Sequence, residues 1–180
     1  MQSRRKRSAQ TGFTLIEAVI SIVILTVGIL SLAAIFAQGI LLASLTQYNY
    51  IAEKKAEEAV ETIFAARNDR TLVWSQLQNT TGGAPLPGIF MVGPRPLCNA
   101  GPDGFVGTAD DDCTNPDQVI TAPGVTVPLS FMQRQIDITQ VLDAGGNPEP
   151  NIRLITVTIT YKVASTQRTY TLVSYISSFS

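Results

Sequence analysis

Histidine is absent from this 180-residue sequence, which removes the commonest general base and one of the commonest metal ligands. Cysteine occurs only twice, as Cys98 and Cys113. There is also no Gly-Lys-Ser/Thr phosphate loop and no Gly-x-Ser-x-Gly nucleophile motif. Because no combination of residues points to catalysis, we expect that the protein is not an enzyme and has no catalytic residue.

Charge is unevenly distributed along the chain. The first seven residues hold four basic side chains and no acidic one. Residues 13–180 contain more acidic than basic side chains and no basic stripe. Nucleic acid is therefore not a predicted partner. The basic N-terminus instead indicates a signal that sets the orientation of the chain in a membrane.

A long apolar run covers residues 13–45, in which Glu17 is the only charged residue. About 20 apolar residues span a bilayer as a helix, and the basic residues before the run should remain in the cytoplasm. The run is too long for the hydrophobic region of an ordinary signal peptide. A plain membrane anchor leaves Glu17 unexplained, because an ionisable residue in such a segment is costly and usually functional.

The segment Gly12-Phe13-Thr14-Leu15-Ile16-Glu17 resembles the processing motif of type IV prepilins, as do the basic leader and the apolar run around it. The resemblance implies that prepilin peptidase cuts between Gly12 and Phe13 and removes residues 1–12. It also implies methylation of the new amino group of Phe13. In this family a glutamate stands at the fifth position of the mature chain, which is Glu17 here.

Glu17 has two interpretations. In a filament, its carboxylate would lie beside the terminal amine of a neighbouring subunit, so that each charge neutralises the other in an apolar bundle. Alternatively, Glu17 extends to the lipid headgroups and has no role in assembly. The pilin resemblance favours the first interpretation, with other pilin subunits as partners.

After Leu45 the pattern becomes amphipathic, and we expect one helix from about Phe13 to Arg67. Residues 152–163 alternate between apolar and polar side chains, and residues 168–177 form a partner strand. Residues 131–141 predict a third strand and 89–92 a short fourth. This predicts an α+β pilin-like fold, with a head at 46–180, a mostly loop region at 78–128 and an antiparallel sheet at 131–178. The helix face expected to pack on the sheet consists of Tyr48, Ile51, Ala52, Ala56, Ala59, Val60, Ile63 and Phe64.

Cys98 and Cys113 bracket a loop rich in glycine and aspartate. In an exported protein, two nearby cysteines predict a disulfide, which we expect to be the main constraint on a loop with few apolar residues. The aspartates are either calcium ligands, since hard oxygen ligands on a turning backbone suit Ca²⁺, or an ordinary polar turn. Their spacing does not fit an EF-hand. These candidate ligands are Asp103, Asp110, Asp111 and Asp112.

The resulting functional hypothesis is a structural subunit of a type IV pilus or related filament. The segment Val27-Gly28-Ile29-Leu30 resembles PilV-type minor pilins, which implies a role in pilus assembly or priming. A pseudopilin of type II secretion and a membrane-anchored adhesin are the alternatives. The expected location is the inner membrane, crossed once with the N-terminus in the cytoplasm, and then a pilus, a periplasmic pseudopilus or the cell surface.

Overall fold

A computed structural model describes residues 12, 14–80, 88–163 and 165–179. The leader up to Thr11, and Phe13 itself, lie outside these described residues. The chain divides into two compact units, Met1–Ser44 and Leu45–Ser180.

One α-helix, α1, runs from Leu15 to Asn68 and confirms the predicted helix to within two residues at each end. No proline interrupts it. At its C-terminus, the backbone N–H groups of Thr71 and Leu72 both donate to the carbonyl of Ala66, at 3.0 and 3.1 Å. Arg70 has a positive φ of 59°, the left-handed conformation that commonly ends a helix.

The second unit contains a short 3-10 helix at Trp74–Gln76 and ten strands. The strands are Asn79–Thr80 (β1), Phe90–Met91 (β2), Arg95–Pro96 (β3), Cys98–Asn99 (β4), Asp112–Pro116 (β5), Gln118–Ala122 (β6), Val125–Pro128 (β7), Gln133–Leu142 (β8), Pro148–Val163 (β9) and Thr166–Ser177 (β10).

Four of these strands form an antiparallel sheet in the order β10-β9-β8-β3. Two further pairs are antiparallel, β4 with β5 and β6 with β7, and β1 pairs with β2 in parallel.

The α+β pilin-like fold and its three long C-terminal strands are confirmed. The short strand predicted at 89–92 is present as the two-residue β2, and it pairs with β1 outside the main sheet. The fourth strand of the main sheet is β3, which pairs with the start of β8. Residues 78–128 also contain more pairing than predicted, because strands of two to five residues are too short to show alternation.

The core forms where one face of α1 meets one face of the sheet. On the helix, Ala52, Ala56 and Ala59 are completely buried, as the amphipathic pattern predicted. On β9 the predicted alternation is also confirmed, with every second residue buried from Ile155 to Val163. Alanine has the smallest side chain that still favours a helix, so larger side chains of the sheet cover these three positions in a common core.

The side chain of Asn79 completes the pairing of β8 beyond the end of β3. Its Nδ2 donates to the carbonyl of Ile136 at 2.6 Å, and its Oδ1 accepts from the N–H of Ile138 at 2.6 Å. The amide thereby satisfies the donor and the acceptor that a neighbouring strand would otherwise bind.

The packing of the alanine face predicts a difference between two alanines on the same helix. Ala56→Leu adds three carbons where no space exists and should lower the free energy of unfolding by about 1–3 kcal/mol. Ala65→Leu, at an exposed position, should change it by less than about 0.5 kcal/mol. Denaturant unfolding of the two variants in the same detergent tests this, and equal effects would contradict the close packing at Ala56.

Candidate functional site

The start of α1 places the predicted processing site in an accessible segment. Gly12 is exposed, and the carbonyl of Thr14 accepts the first helical hydrogen bonds, from the N–H groups of Glu17 at 3.1 Å and Ala18 at 3.2 Å. Phe13, the other half of the predicted scissile bond, lies outside the described residues. Gly12 therefore precedes the helix, in backbone that is not part of its hydrogen-bonded ladder.

The first part of α1 presents an apolar surface on all sides. Every described residue from Leu15 to Ala43 is exposed, and an 18-residue window has a mean hydropathy of 2.8. By length and composition this helix could cross a membrane. Its hydroxyl groups are satisfied within the helix, since Ser21, Ser31 and Ser44 each donate to the carbonyl four residues earlier, at 2.8 to 3.0 Å. Such bonds keep polar groups paired in lipid.

Glu17 is the only charged residue among the described residues of the first unit. Its carboxylate has no hydrogen-bond or ion-pair partner within the described part of the chain. Ser21 bonds to its backbone carbonyl rather than to its side chain. A carboxylate in an apolar surface is stable only with a partner or with solvent. The carboxylate of Glu17 therefore needs a partner or solvent from beyond the described residues.

The structure joins Cys98 and Cys113 in a disulfide, with 15 residues of separation and Cα atoms 4.7 Å apart. The bond lies beside the β4–β5 pair, in which Asn99 is opposite Asp112. The expectation that little else holds the loop is wrong, because Phe105 and Val106 are buried in the main core. The loop is thus fixed both covalently and by apolar packing.

The four aspartates of the loop point to different partners. Asp110 accepts hydrogen bonds from the N–H of Asp103 at 3.1 Å and the hydroxyl of Thr108 at 2.8 Å. Asp111 accepts from the N–H of Gly107 at 2.8 Å. Asp112 accepts from the N–H of Thr114 at 3.0 Å. The aspartates act as local caps for turning backbone. Asp103 lies beside Asp110, and the hydroxyl of Thr108 also contacts Asp111, at 3.3 Å.

The pKa values follow from these contacts. Burial raises the pKa of Asp103, and the nearby negative charge of Asp110 adds to the increase. The hydroxyl of Thr108 lowers the pKa of Asp110. Hydrogen bonds from the side chains of Thr114 and Asn115 lower the pKa of Asp112 to about 2.

Among the described residues, no three or more His, Cys, Asp or Glu side chains are grouped so that they could hold a metal ion. The predicted ligand set therefore does not form one cluster, because most of its carboxylates are directed at backbone N–H groups of their own turns. Calcium binding by the loop stays a prediction. The carboxyl groups of Asp103 and Asp110 interact with each other, and Asp110 and Asp111 share the hydroxyl of Thr108.

An ion pair that the sequence did not predict fixes α1 to the segment after the disulfide. The Nζ of Lys55 lies 2.8 Å from Asp117 Oδ2 and 2.7 Å from Glu58 Oε2. Only 16% of the Lys55 side chain and 11% of the Asp117 side chain are exposed. Burial by itself would lower the pKa of Lys55, but the hydrogen bonds and charges of Asp117 and Glu58 outweigh it and raise the pKa.

Arg134 is a second charged residue that sequence reasoning missed. It lies on the helix-facing side of β8, is 3% exposed, and its three guanidinium nitrogens have no hydrogen-bond partner among the described residues. Burial lowers its pKa, and the charges of Asp111, Asp117 and Glu58 oppose that change. The sequence does contain a sign of this buried arginine: in β8, Arg134 occupies a position of the alternating pattern at which its neighbours Ile136 and Ile138 are apolar.

Two adjacent lysines provide a matched test of the buried ion pair. Lys55→Met should lower the free energy of unfolding by about 3 kcal/mol, because Asp117 stays buried without its cation. Lys54→Met should leave the free energy of unfolding nearly unchanged, because the pair of Lys54 with Glu57 is exposed, at 52% and 37%. Chemical denaturation at neutral pH measures both, and an equal cost for the two variants would contradict a structural role for the Lys55–Asp117 pair.

Comparison with known proteins gives one match. Residues 7–33 match the family model described as the prokaryotic N-terminal methylation motif. No curated protein and no solved structure matches the chain. The matched segment contains Gly12, Phe13 and Glu17 and extends through the first part of α1. The chain thus carries a prepilin-type N-terminal methylation motif over the residues in which the processing site was predicted.

Proposed function

We propose that the protein is a prepilin that becomes a structural subunit of a type IV pilus or a related filament. Prepilin peptidase cuts between Gly12 and Phe13, the new amino group of Phe13 is methylated, and the subunit enters the filament through α1. The observation that carries this proposal is the methylation motif at residues 7–33, which continues into a helix whose apolar surface is exposed on all sides.

The local geometry supports cleavage at Gly12. A glycine offers no side chain to hinder a protease that must contact the backbone, and a Cβ at Gly12 would meet no atom within 4 Å. The cut removes the four basic residues of the leader and leaves Phe13 at the start of the mature chain. Insertion depends on the apolar run that follows, so cleavage and insertion are separable.

The exposed apolar surface of α1 supports assembly. In a bilayer the surface is solvated by lipid, and in a filament it packs against the same segment of neighbouring subunits. Gly28 opens a shallow apolar groove beside Ile24, Leu25 and Leu32, where a second helix can approach closely. The helix therefore has no need of solvent contact in either environment.

Glu17 supplies specificity in this arrangement. Its carboxylate pairs with the terminal amine of a neighbour's Phe13, and both charges are then neutralised in the apolar bundle. A subunit in the wrong register would leave both buried and unpaired, which costs several kcal/mol. The pair thus determines register more than overall stability.

Within this class we propose a minor pilin that acts in assembly or priming, based on the resemblance of the Val27–Leu30 segment. A pseudopilin of type II secretion uses the same N-terminal mechanism. Deletion of the gene distinguishes the two: loss of pili with intact secretion supports the minor pilin, whereas loss of protein secretion supports the pseudopilin.

Mass spectrometry of the envelope protein tests processing. The mature chain should begin at Phe13 and carry one added methyl group. Gly12→Val should block cleavage but leave membrane insertion intact, because the apolar run is unchanged. Gly28→Val, a matched substitution within the helix, should be cut normally. Filaments that contain chains with the basic leader still attached would overturn the proposal.

Glu17→Val tests assembly separately from processing. The variant should be inserted and cut, since the scissile bond is unchanged, but its amount in sheared filaments should fall at least about 10-fold because the neighbour's amine loses its partner. Thr26→Val is the control, since the hydroxyl of Thr26 bonds only to carbonyls of its own helix. Incorporation of Glu17→Val at the wild-type level would favour the headgroup interpretation of Glu17.

A further inference from the structure

One end of the head, within the second unit, brings together the start of its helical segment and the ends of three strands. Leu45 and Asn49 on α1, Tyr161 at the end of β9 and Arg168 at the start of β10 line a shallow cavity of about 320 Å³. A second cavity of about 380 Å³ beside it is lined by Phe131 and Lys162, among others. The hydroxyl of Tyr161 lies 3.4 Å from Asn49 Oδ1, so helix and sheet meet at this end.

This end of the head is also the end that follows the apolar segment in sequence. The second unit begins at Leu45, directly after the exposed apolar part of the helix that could cross a membrane. In an inserted subunit, the residues that open the head are therefore the first to leave the hydrocarbon.

The two cavities are lined by two cations and by no acidic side chain. Lys162 and Arg168 are both exposed, and they flank the turn of the β9–β10 hairpin. The acidic residues of the helical segment begin at Glu53, whose charge acts on Tyr170 further along β10. The lining of the cavities therefore offers two cations for an anionic group.

Aromatic side chains complete the surface. Tyr48 contacts Phe131 edge to face, with ring centroids 5.4 Å apart, and Tyr161 at 6.4 Å. Phe131 keeps 41% of its surface exposed. Aromatic rings next to cations are typical of protein segments at the headgroup level.

We propose that this end of the head binds anionic phospholipid headgroups of the outer leaflet while the subunit is still inserted in the membrane. Lys162 and Arg168 contact the phosphates, and Phe131 lies at the level of the glycerol groups. The proposal rests on the proposed function, because it requires an inserted subunit. It gives the head a docked position before assembly, from which entry into the filament releases it.

Acetylation of lysines in the full mature chain, inserted in nanodiscs, tests the docking. Lys162 should react several-fold more slowly, relative to Lys54 in the same molecule, in nanodiscs that contain phosphatidylglycerol than in phosphatidylcholine alone. Each cation near an anionic surface contributes about 1 kcal/mol, or about 5-fold. Arg168→Gln should therefore weaken docking about 5-fold, and salt at about 0.5 M should abolish most of the protection.

Arg70→Gln is the matched control, since Arg70 is exposed beyond the C-terminal end of α1 and its loss should leave the protection of Lys162 unchanged. Equal protection in both lipids, or equal effects of the two variants, would overturn the proposal. Protection produced by inorganic phosphate in phosphatidylcholine nanodiscs would identify free phosphate as the ligand instead. Protection that appears only in filaments would indicate a protein neighbour.

Different results would contradict the prepilin proposal and the headgroup-binding proposal. Failure of the chain to insert into nanodiscs, or an uncut leader in the envelope protein, counts against the prepilin proposal. An inserted, correctly processed chain with an unprotected Lys162 counts against headgroup binding alone.

Discussion

The contact between the alanine face of α1 and the sheet is the constraint on which the head depends. Ala52, Ala56 and Ala59 have no exposed surface, because larger buried side chains, including those of β8 and β9, belong to the same core and cover them. The same helix has no such face before Leu45, where every side is apolar and exposed. A single change of pattern thus allows one helix to combine a segment that could cross a membrane by length and composition with a segment that packs in a folded head.

The parts of the fold that could be predicted are those with a strong period. The amphipathic half of α1 and the alternation in β9 both follow from side chains that repeat with the geometry of the backbone. The β9–β10 hairpin follows from two such runs around a short turn. Short strands carry no such signal, so β1 and β3 were not predicted, and β2 was predicted without its pairing partner.

Contacts between residues far apart in sequence could not be predicted for a different reason. Lys55 and Asp117 are separated by 62 residues, and each looks like an ordinary surface charge in its own segment. Asn79 resembles a loop residue, although its amide completes the edge of β8. The composition of the aspartate loop fits a cation site, but it does not reveal that nearby N–H groups donate hydrogen bonds to the carboxylates of Asp111 and Asp112. Local capping competes with metal binding for the same oxygen atoms.

The charged residues in apolar surroundings differ in where their partners lie. Asp117 neutralises the charge of Lys55 within the same chain. The acidic groups around Arg134 reduce the cost of burying its guanidinium. Glu17 has neither kind of compensation within the described chain. Since an isolated carboxylate is too costly to keep in hydrocarbon, its partner has to come from the headgroups or from another subunit. Headgroups would satisfy the carboxylate only while the subunit is in the membrane, whereas in the proposed filament a neighbour's terminal amine would satisfy it in the core. For this reason we propose that Glu17 acts in assembly.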